Sequence, residues 1–167
     1  MSHATQRYDF RDKAADYARL AEELTALLAG ESDVVANAAN TSALLFEVLP
    51  DINWVGFYFL KGDDLVVGPF QGRPACVRIA MGKGVCGTAA QRRETIVVAD
   101  VHAFAGHIAC DSASQSELVV PLIKDGTVLG VLDVDSPRLA RFDDTDRRGL
   151  EHIAEVFVSG SRFGGED

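Results

Sequence analysis

The sequence predicts an α+β fold with a central antiparallel sheet of about six strands. Residues 11–50 carry apolar side chains at helical spacing, which predicts helices before the first strand. From Asn53 the pattern changes to aromatic and β-branched runs of strand length, separated by turn residues. The pair Asp125-Gly126 lies between two apolar runs and is a strong signal for an antiparallel hairpin.

Three longer helices are predicted. The first covers roughly residues 11–29 and ends at Gly30, because glycine readily adopts the left-handed conformation of a helix end. Ser32 is a suitable N-cap for the second helix, and Pro50 ends it. Asp143 caps a last helix, whose apolar face consists of Leu150, Ile153, Ala154 and Phe157.

Six segments have the character of strands. Between the third and the fourth, a glycine-rich segment at residues 82–87 opens a short helix that ends at Arg93. Residues 100–116 show no periodicity and contain Cys110; a loop of this length in a compact domain is usually functional or disordered, and we interpret it as the site loop. The six strands are residues 54–60, 65–68, 76–79, 95–99, 117–123 and 127–135.

Composition restricts the partners and the location of the protein. The chain has 167 residues, 47% of them hydrophobic, which is typical of one domain, and we expect a single domain over residues 1–167 with its core at about 35–160. Sixteen basic against 25 acidic residues give a net charge of −9, which disfavours nucleic acid and anionic membranes as partners. Neither an apolar leader nor a membrane-spanning stretch is present in the sequence, so we expect a soluble cytoplasmic protein.

The three cysteines, Cys76, Cys86 and Cys110, lack CxxC spacing, which fits neither a secreted disulfide framework nor a zinc ribbon. Cys110 lies in a polar loop next to Asp111, where a thiol can be exposed and activated. The alternative for each cysteine is a small buried apolar side chain, and this alternative is strongest for Cys76, which lies between two apolar residues.

Two pairs of residues share a face of a strand. Asp133 and Asp135 are two apart, and such close like charges raise the pKa of at least one carboxyl, which could then donate a proton while the other binds a cation. The alternative is a solvated strand end. Trp54 and Tyr58 also share a face, with Gly56 leaving space between them, and form either an aromatic pocket wall or ordinary core.

Two further signals point to ligands only weakly. Residues 82–87 lack the pattern of a phosphate loop, which is GxxxxGK followed by Ser or Thr. A turn that opens a helix is the better interpretation. His102, His107 and Cys110 lack a fourth ligand at regular spacing, so we expect no metal.

Four segments of the chain carry a family resemblance. They are residues 53–58 (NWVGFY), 82–88 (GKGVCGT), 106–114 (GHIACDSAS) and 131–137 (VLDVDSP). Together they resemble the free methionine-(R)-sulfoxide reductases, single GAF domains that reduce the free amino acid. The resemblance covers about residues 37–157, and it departs from the family at Ala105, where we expect proline. It implies a GAF fold with the N-terminal and C-terminal helices on one side of the sheet, and the crossover helix and loops on the other.

The resemblance also implies a reaction without metal or organic cofactor. A thiolate attacks the sulfur of the sulfoxide, and a second thiol resolves the sulfenic acid into an intramolecular disulfide, which thioredoxin reopens. Cys110 is the implied attacking cysteine, with Cys76 as the principal and Cys86 as an auxiliary resolving thiol. A homodimer through the first two helices is possible, and a non-catalytic GAF sensor of a small molecule or of redox state is the alternative function. The implied catalytic residues are Cys110, Cys76, Cys86 and Asp135, and the implied substrate-binding residues are Trp54, Tyr58, Glu117, Asp133 and Asp135.

The last hairpin conflicts with this implied pocket. A regular ladder from the turn at residues 125–126 would put Glu117 on the face opposite the two aspartates. Pro121 lacks the N–H that a regular ladder uses, and prolines within sheets concentrate at edges and bulges. We therefore predict a bulge or an equivalent break between Glu117 and Lys124.

Overall fold

The computed structural model describes residues 4–108 and 112–164, and in these residues four α-helices accompany a six-stranded antiparallel sheet. The helices are α1 (Lys13–Leu28), α2 (Val34–Val48), α3 (Gly84–Arg92) and α4 (Asp144–Gly160). The strands are β1 (Trp54–Lys61), β2 (Asp64–Gln71), β3 (Arg78–Ala80), β4 (Ile96–Val98), β5 (Ser116–Lys124) and β6 (Thr127–Ser136), in the order β3-β2-β1-β6-β5-β4. The predicted fold class is confirmed. Among the described helices, none is both long and apolar enough to cross a membrane.

The helix caps confirm one prediction and correct another. The Asp143 carboxylate accepts a hydrogen bond from the N–H of Asp146, whose own side chain accepts from the N–H of Asp143, so α4 begins with a capping box. The N-cap of α2 is Asp33 instead of the predicted Ser32, because the Asp33 carboxylate accepts from the N–H of Ala36 at 2.8 Å. Both residue types make good caps, and only the path of the chain decides which one reaches the helix.

The two faces of the sheet carry separate apolar cores. Helices α1, α2 and α4 pack on one face, around the fully buried Leu24, Leu45 and Phe157. Helix α3 packs on the other face, where its side chains meet Trp54 and Tyr58. The arrangement of helices expected on the two sides is confirmed, and the cysteine of α3 faces the same layer as the β1 aromatics.

The predicted bulge is present in the β5–β6 hairpin. Both turn residues, 125 and 126, have positive φ, as a two-residue type I′ turn requires. The register shifts between Leu122 and Ile123, because β6 contributes one extra residue, Leu129, at that point. Beyond the shift Glu117 pairs with Asp135, so its side chain lies on the face of the aspartates.

Gly149 on α4 gives a stability test of the α1–α4 contact. A Cβ atom at this position would overlap the ring of the buried Tyr17, whose hydroxyl donates to Asp146 at 2.8 Å. We expect Gly149→Ala to lower the free energy of unfolding by about 1–3 kcal/mol in denaturant titrations. Gly160→Ala on the same helix is the control, since its nearest neighbour is Leu28 at 3.8 Å. Equal stability of the two variants would contradict the packing.

Candidate active site

A pocket lies on the α3 face of the sheet, where β1, β5 and β6 run side by side. β1 contributes the aromatic side chains, β5 and β6 contribute carboxylates, and α3 contributes a thiol. The loop after β4 closes one side with a histidine. The lining residues that matter below are Trp54, Tyr58, Cys86, His107, Glu117, Asp133 and Asp135.

Three carboxyl groups converge in this pocket. Glu117 and Asp135 are directly paired across β5 and β6, and Asp133 is two residues along the same face. Glu117 is 7% exposed and Asp133 is 5% exposed, whereas Asp135 is half-buried. The pocket lining contains no lysine or arginine among the described residues.

The acid cluster favours uptake of protons or of a cation. Burial raises the pKa of Asp133 well above its usual range, and the charges of Asp135 and Glu117 raise it further. Burial also raises the pKa of Glu117, although hydrogen bonds with its acidic neighbours act in the opposite direction. A bound cation would favour the ionised form of these carboxyl groups.

Cys86 lines the pocket with a free thiol, and it is 4% exposed. Its Sγ lies 3.9 Å from Oε1 of Glu117. Burial raises the pKa of this thiol well above its usual range, and the charges of Asp133 and Glu117 add to the effect. At neutral pH Cys86 is therefore protonated and a weak nucleophile.

Cys76 has a different state from Cys86. It lies half-buried between β2 and β3, its carbonyl accepts a hydrogen bond from the Tyr58 hydroxyl at 3.2 Å, and its sulfur is disulfide-bonded. Cys110, the cysteine expected to attack the substrate, lies outside the described residues.

The two aromatic residues of β1 belong to the apolar core on the α3 face and also line the pocket. The rings of Trp54 and Tyr58 stack at a centroid distance of 5.9 Å, and both line the pocket. The space expected beside Gly56 is filled, because Phe70 on β2 packs against it and stacks on Trp54 at 5.1 Å. The sequence analysis missed Phe70, whose position depends on the β1–β2 register and its bulge.

His107 reaches the pocket, whereas His102 does not. Nε2 of His107 lies 4.0 Å from Oε2 of Glu117, and burial lowers the pKa of this imidazole. His102 is exposed and contacts Asp100 at 3.2 Å. The two histidines considered above as metal ligands therefore do not lie in one site. Instead, one ligand atom each from Cys86, Glu117 and Asp133 lies within 4.8 Å of the others.

Comparisons with known proteins agree with this fold. Residues 35–158 match the GAF domain family. The chain is 54% identical over 142 residues to the free methionine-R-sulfoxide reductase of Escherichia coli, covering 85% of this chain and 86% of that protein. It is 45% identical to the enzyme of the same name from Saccharomyces cerevisiae, covering 76% of this chain and 75% of that one.

A solved structure extends the similarity to three dimensions. The free methionine-R-sulfoxide reductase from Neisseria meningitidis, in complex with its substrate, matches with a TM-score of 0.90 and 46% identity over 95% of both chains. The levels of identity and coverage are well beyond those of a shared fold alone. The chain belongs to the GAF domain family and, within it, to the free methionine-R-sulfoxide reductases.

Proposed function

We propose that this protein reduces free methionine-(R)-sulfoxide to methionine. The observation that carries the proposal is the cluster of Glu117, Asp133 and Asp135 next to the Trp54 ring. A free amino acid brings an ammonium group, which carboxylates bind, and a methyl sulfoxide, which suits an aromatic wall. The names of the relatives support the same substrate.

The chemistry proceeds by transfer of the sulfoxide oxygen to a cysteine. The Cys110 thiolate attacks the sulfur of the substrate, the oxygen takes up a proton, and methionine leaves while the cysteine becomes a sulfenic acid. The Cys76 thiol then attacks this sulfenic acid, which forms a disulfide and releases water. A dithiol such as that of thioredoxin reduces the disulfide by exchange and restores both thiols.

The proton for the sulfoxide oxygen comes from the Asp133–Asp135 pair. Burial and the neighbouring charges raise the pKa of Asp133, so this carboxyl retains a proton at a pH where an exposed acid has lost it. Asp135 lies on the same face, and Glu117 supplies a negative charge for the ammonium group. The cluster thus serves both binding and acid catalysis.

The two remaining cysteines have unequal roles. Cys76 is disulfide-bonded, and in the proposed cycle it is the thiol that resolves the sulfenic acid of Cys110. Cys86 is a free buried thiol with a raised pKa, which fits an auxiliary role better than direct attack on a sulfenic acid.

A stereospecific turnover assay tests the proposal. Purified protein is incubated with thioredoxin and its reductant and with each epimer of free methionine sulfoxide, and methionine is measured. We expect turnover of the R epimer only, with loss of two thiols per chain when thioredoxin is omitted. If neither epimer yields methionine and no thiol is lost, the protein is a GAF sensor rather than a reductase.

The acid cluster predicts selectivity for the free amino acid. N-acetylation of the substrate removes its positive charge and leaves the carboxylates without a cation, so we expect kcat/KM to fall by at least ~100-fold. The substrate amidated at its carboxyl group is the matched control, because it retains the ammonium group. Comparable turnover of the acetylated and the free substrate would contradict the role of the cluster.

A further inference from the structure

A donor set for a metal ion lies inside the pocket. Sγ of Cys86 and one carboxylate oxygen each of Glu117 and Asp133 lie within 4.8 Å of one another, and all three side chains are buried. These residues lie on α3, β5 and β6, so regular secondary structure holds each of them in place. A site on such elements needs little rearrangement to bind a ligand.

The hydrogen bonding of one member of this cluster also points to a ligand. Oδ1 of Asp133 is buried and has no hydrogen-bond partner within residues 4–108 and 112–164. A buried polar atom without a partner costs free energy, so its position in a pocket indicates that a bound group satisfies it. Asp133 is 5% exposed and lines the pocket.

The donor types fit a tetrahedral zinc ion. Zinc binds thiolate sulfur at about 2.3 Å and carboxylate oxygen at about 2.0–2.2 Å, which puts neighbouring S and O ligands about 3.5 Å apart. The Cys86 Sγ to Glu117 Oε1 distance of 3.9 Å needs a shift of only a few tenths of an ångström. These three protein ligands leave one position of the tetrahedron to water. His107 lies beside this donor set, with its Nε2 4.0 Å from Oε2 of Glu117.

We propose that Cys86, Glu117 and Asp133 bind Zn²⁺ with water at the fourth position, and that the ion excludes the amino acid substrate. Metal binding displaces the Cys86 proton to solvent, and the divalent ion meets three anionic ligands. The exclusion rests on the proposed function, since the ion and the substrate ammonium would use the same carboxylates. The metal site itself does not depend on it.

Direct titration of the oxidised protein tests the site. In this form Cys76 is disulfide-bonded, and a thiol count first establishes that one thiol per chain remains. Cd²⁺ then serves as a spectroscopic substitute for Zn²⁺, because Cd²⁺–thiolate bonds absorb in the ultraviolet. We expect saturation at one Cd²⁺ per chain and displacement of Cd²⁺ by Zn²⁺.

Three variants identify the ligands. Cys86→Ser should lose the thiolate absorption and bind at least ~10-fold more weakly, and Asp133→Asn should retain the absorption but also bind at least ~10-fold more weakly. Asp125→Asn, on the exposed hairpin turn, is the matched control and should bind as the wild type does. Failure of the wild type to produce thiolate absorption, or its persistence in Cys86→Ser, would overturn the site.

Competition separates this proposal from the proposed function. Free methionine sulfoxide should weaken Cd²⁺ binding in proportion to its occupancy of the pocket, whereas its N-acetyl derivative should not. Metal binding that excess free sulfoxide leaves unchanged would overturn the exclusion. A protein that produces the Cd²⁺–thiolate absorption but reduces no sulfoxide would retain the metal site and lose the proposed activity.

Discussion

Cys110→Ser is expected to abolish methionine formation in the first turnover as well as in the steady state. A serine hydroxyl cannot replace a thiolate as the acceptor of the sulfoxide oxygen, so the loss of kcat should reach at least ~10⁴-fold. Rapid-quench measurement of methionine with stoichiometric protein and no reductant checks the first turnover.

Cys76→Ser is the matched control for that experiment. Without the resolving thiol, this variant should produce one methionine per chain and then stop at the sulfenic acid, which a sulfenic-acid-specific reagent can trap. Cys86→Ser should retain steady-state turnover with thioredoxin, at a reduced rate because it lacks the auxiliary thiol. A full first turnover by Cys110→Ser would refute the assignment of Cys110 as the attacking residue.

Asp133→Asn is expected to have opposite effects on activity and on stability. The amide cannot donate the catalytic proton, so kcat should fall by about 10²–10⁴-fold. An acid that stays protonated in the fold but ionises in the unfolded chain destabilises the fold, and the amide removes this cost. The substrate-free protein should therefore melt at a higher temperature, by about 2–4 °C per kcal/mol gained.

The stability gain should depend on pH with a definite sign. The pKa of Asp133 is higher in the folded protein than in the unfolded chain. The contribution of this carboxyl to stability is therefore complete at pH values below its pKa in the unfolded chain, and it is lost as the pH rises through its pKa in the folded protein. The melting temperature of the wild type should therefore fall relative to that of Asp133→Asn on going from pH 5 to pH 8. Asp125→Asn is the control, and a pH-independent difference would contradict the burial of an ionisable acid.

Local pattern and turn chemistry predicted most of the fold. The β5–β6 hairpin shows how far this reasoning extends, because the 125–126 turn fixed the register near the turn, and Pro121 together with the family resemblance required a break before Glu117. The shift lies between Leu122 and Ile123, with the extra residue on the partner strand. Which strand bulges depends on packing across the sheet, and no pattern in β5 alone encodes it.

The site was harder to predict from the sequence than the fold. Spacing along the strands grouped Trp54 with Tyr58 and Asp133 with Asp135, because side chains two or four apart share a face. The contact of Cys86 with Glu117 joins residues 31 apart in the chain, and only the packing of α3 on the sheet creates it. Burial, which gives the thiol its raised pKa, has the same tertiary origin.

The extra residue in β6 fits the length of the turn to the pocket. Side chains alternate faces along a strand, so a regular ladder that retained Leu129 would pair Glu117 with Val134 and leave Glu117 and the aspartates on opposite faces. Deleting Leu129 would instead join the two halves of the hairpin into one regular ladder, in which Leu122 still pairs with Gly130 and Glu117 still pairs with Asp135. During evolution, the turn end of this hairpin can therefore gain or lose this single residue while the carboxylates at the other end keep their common face.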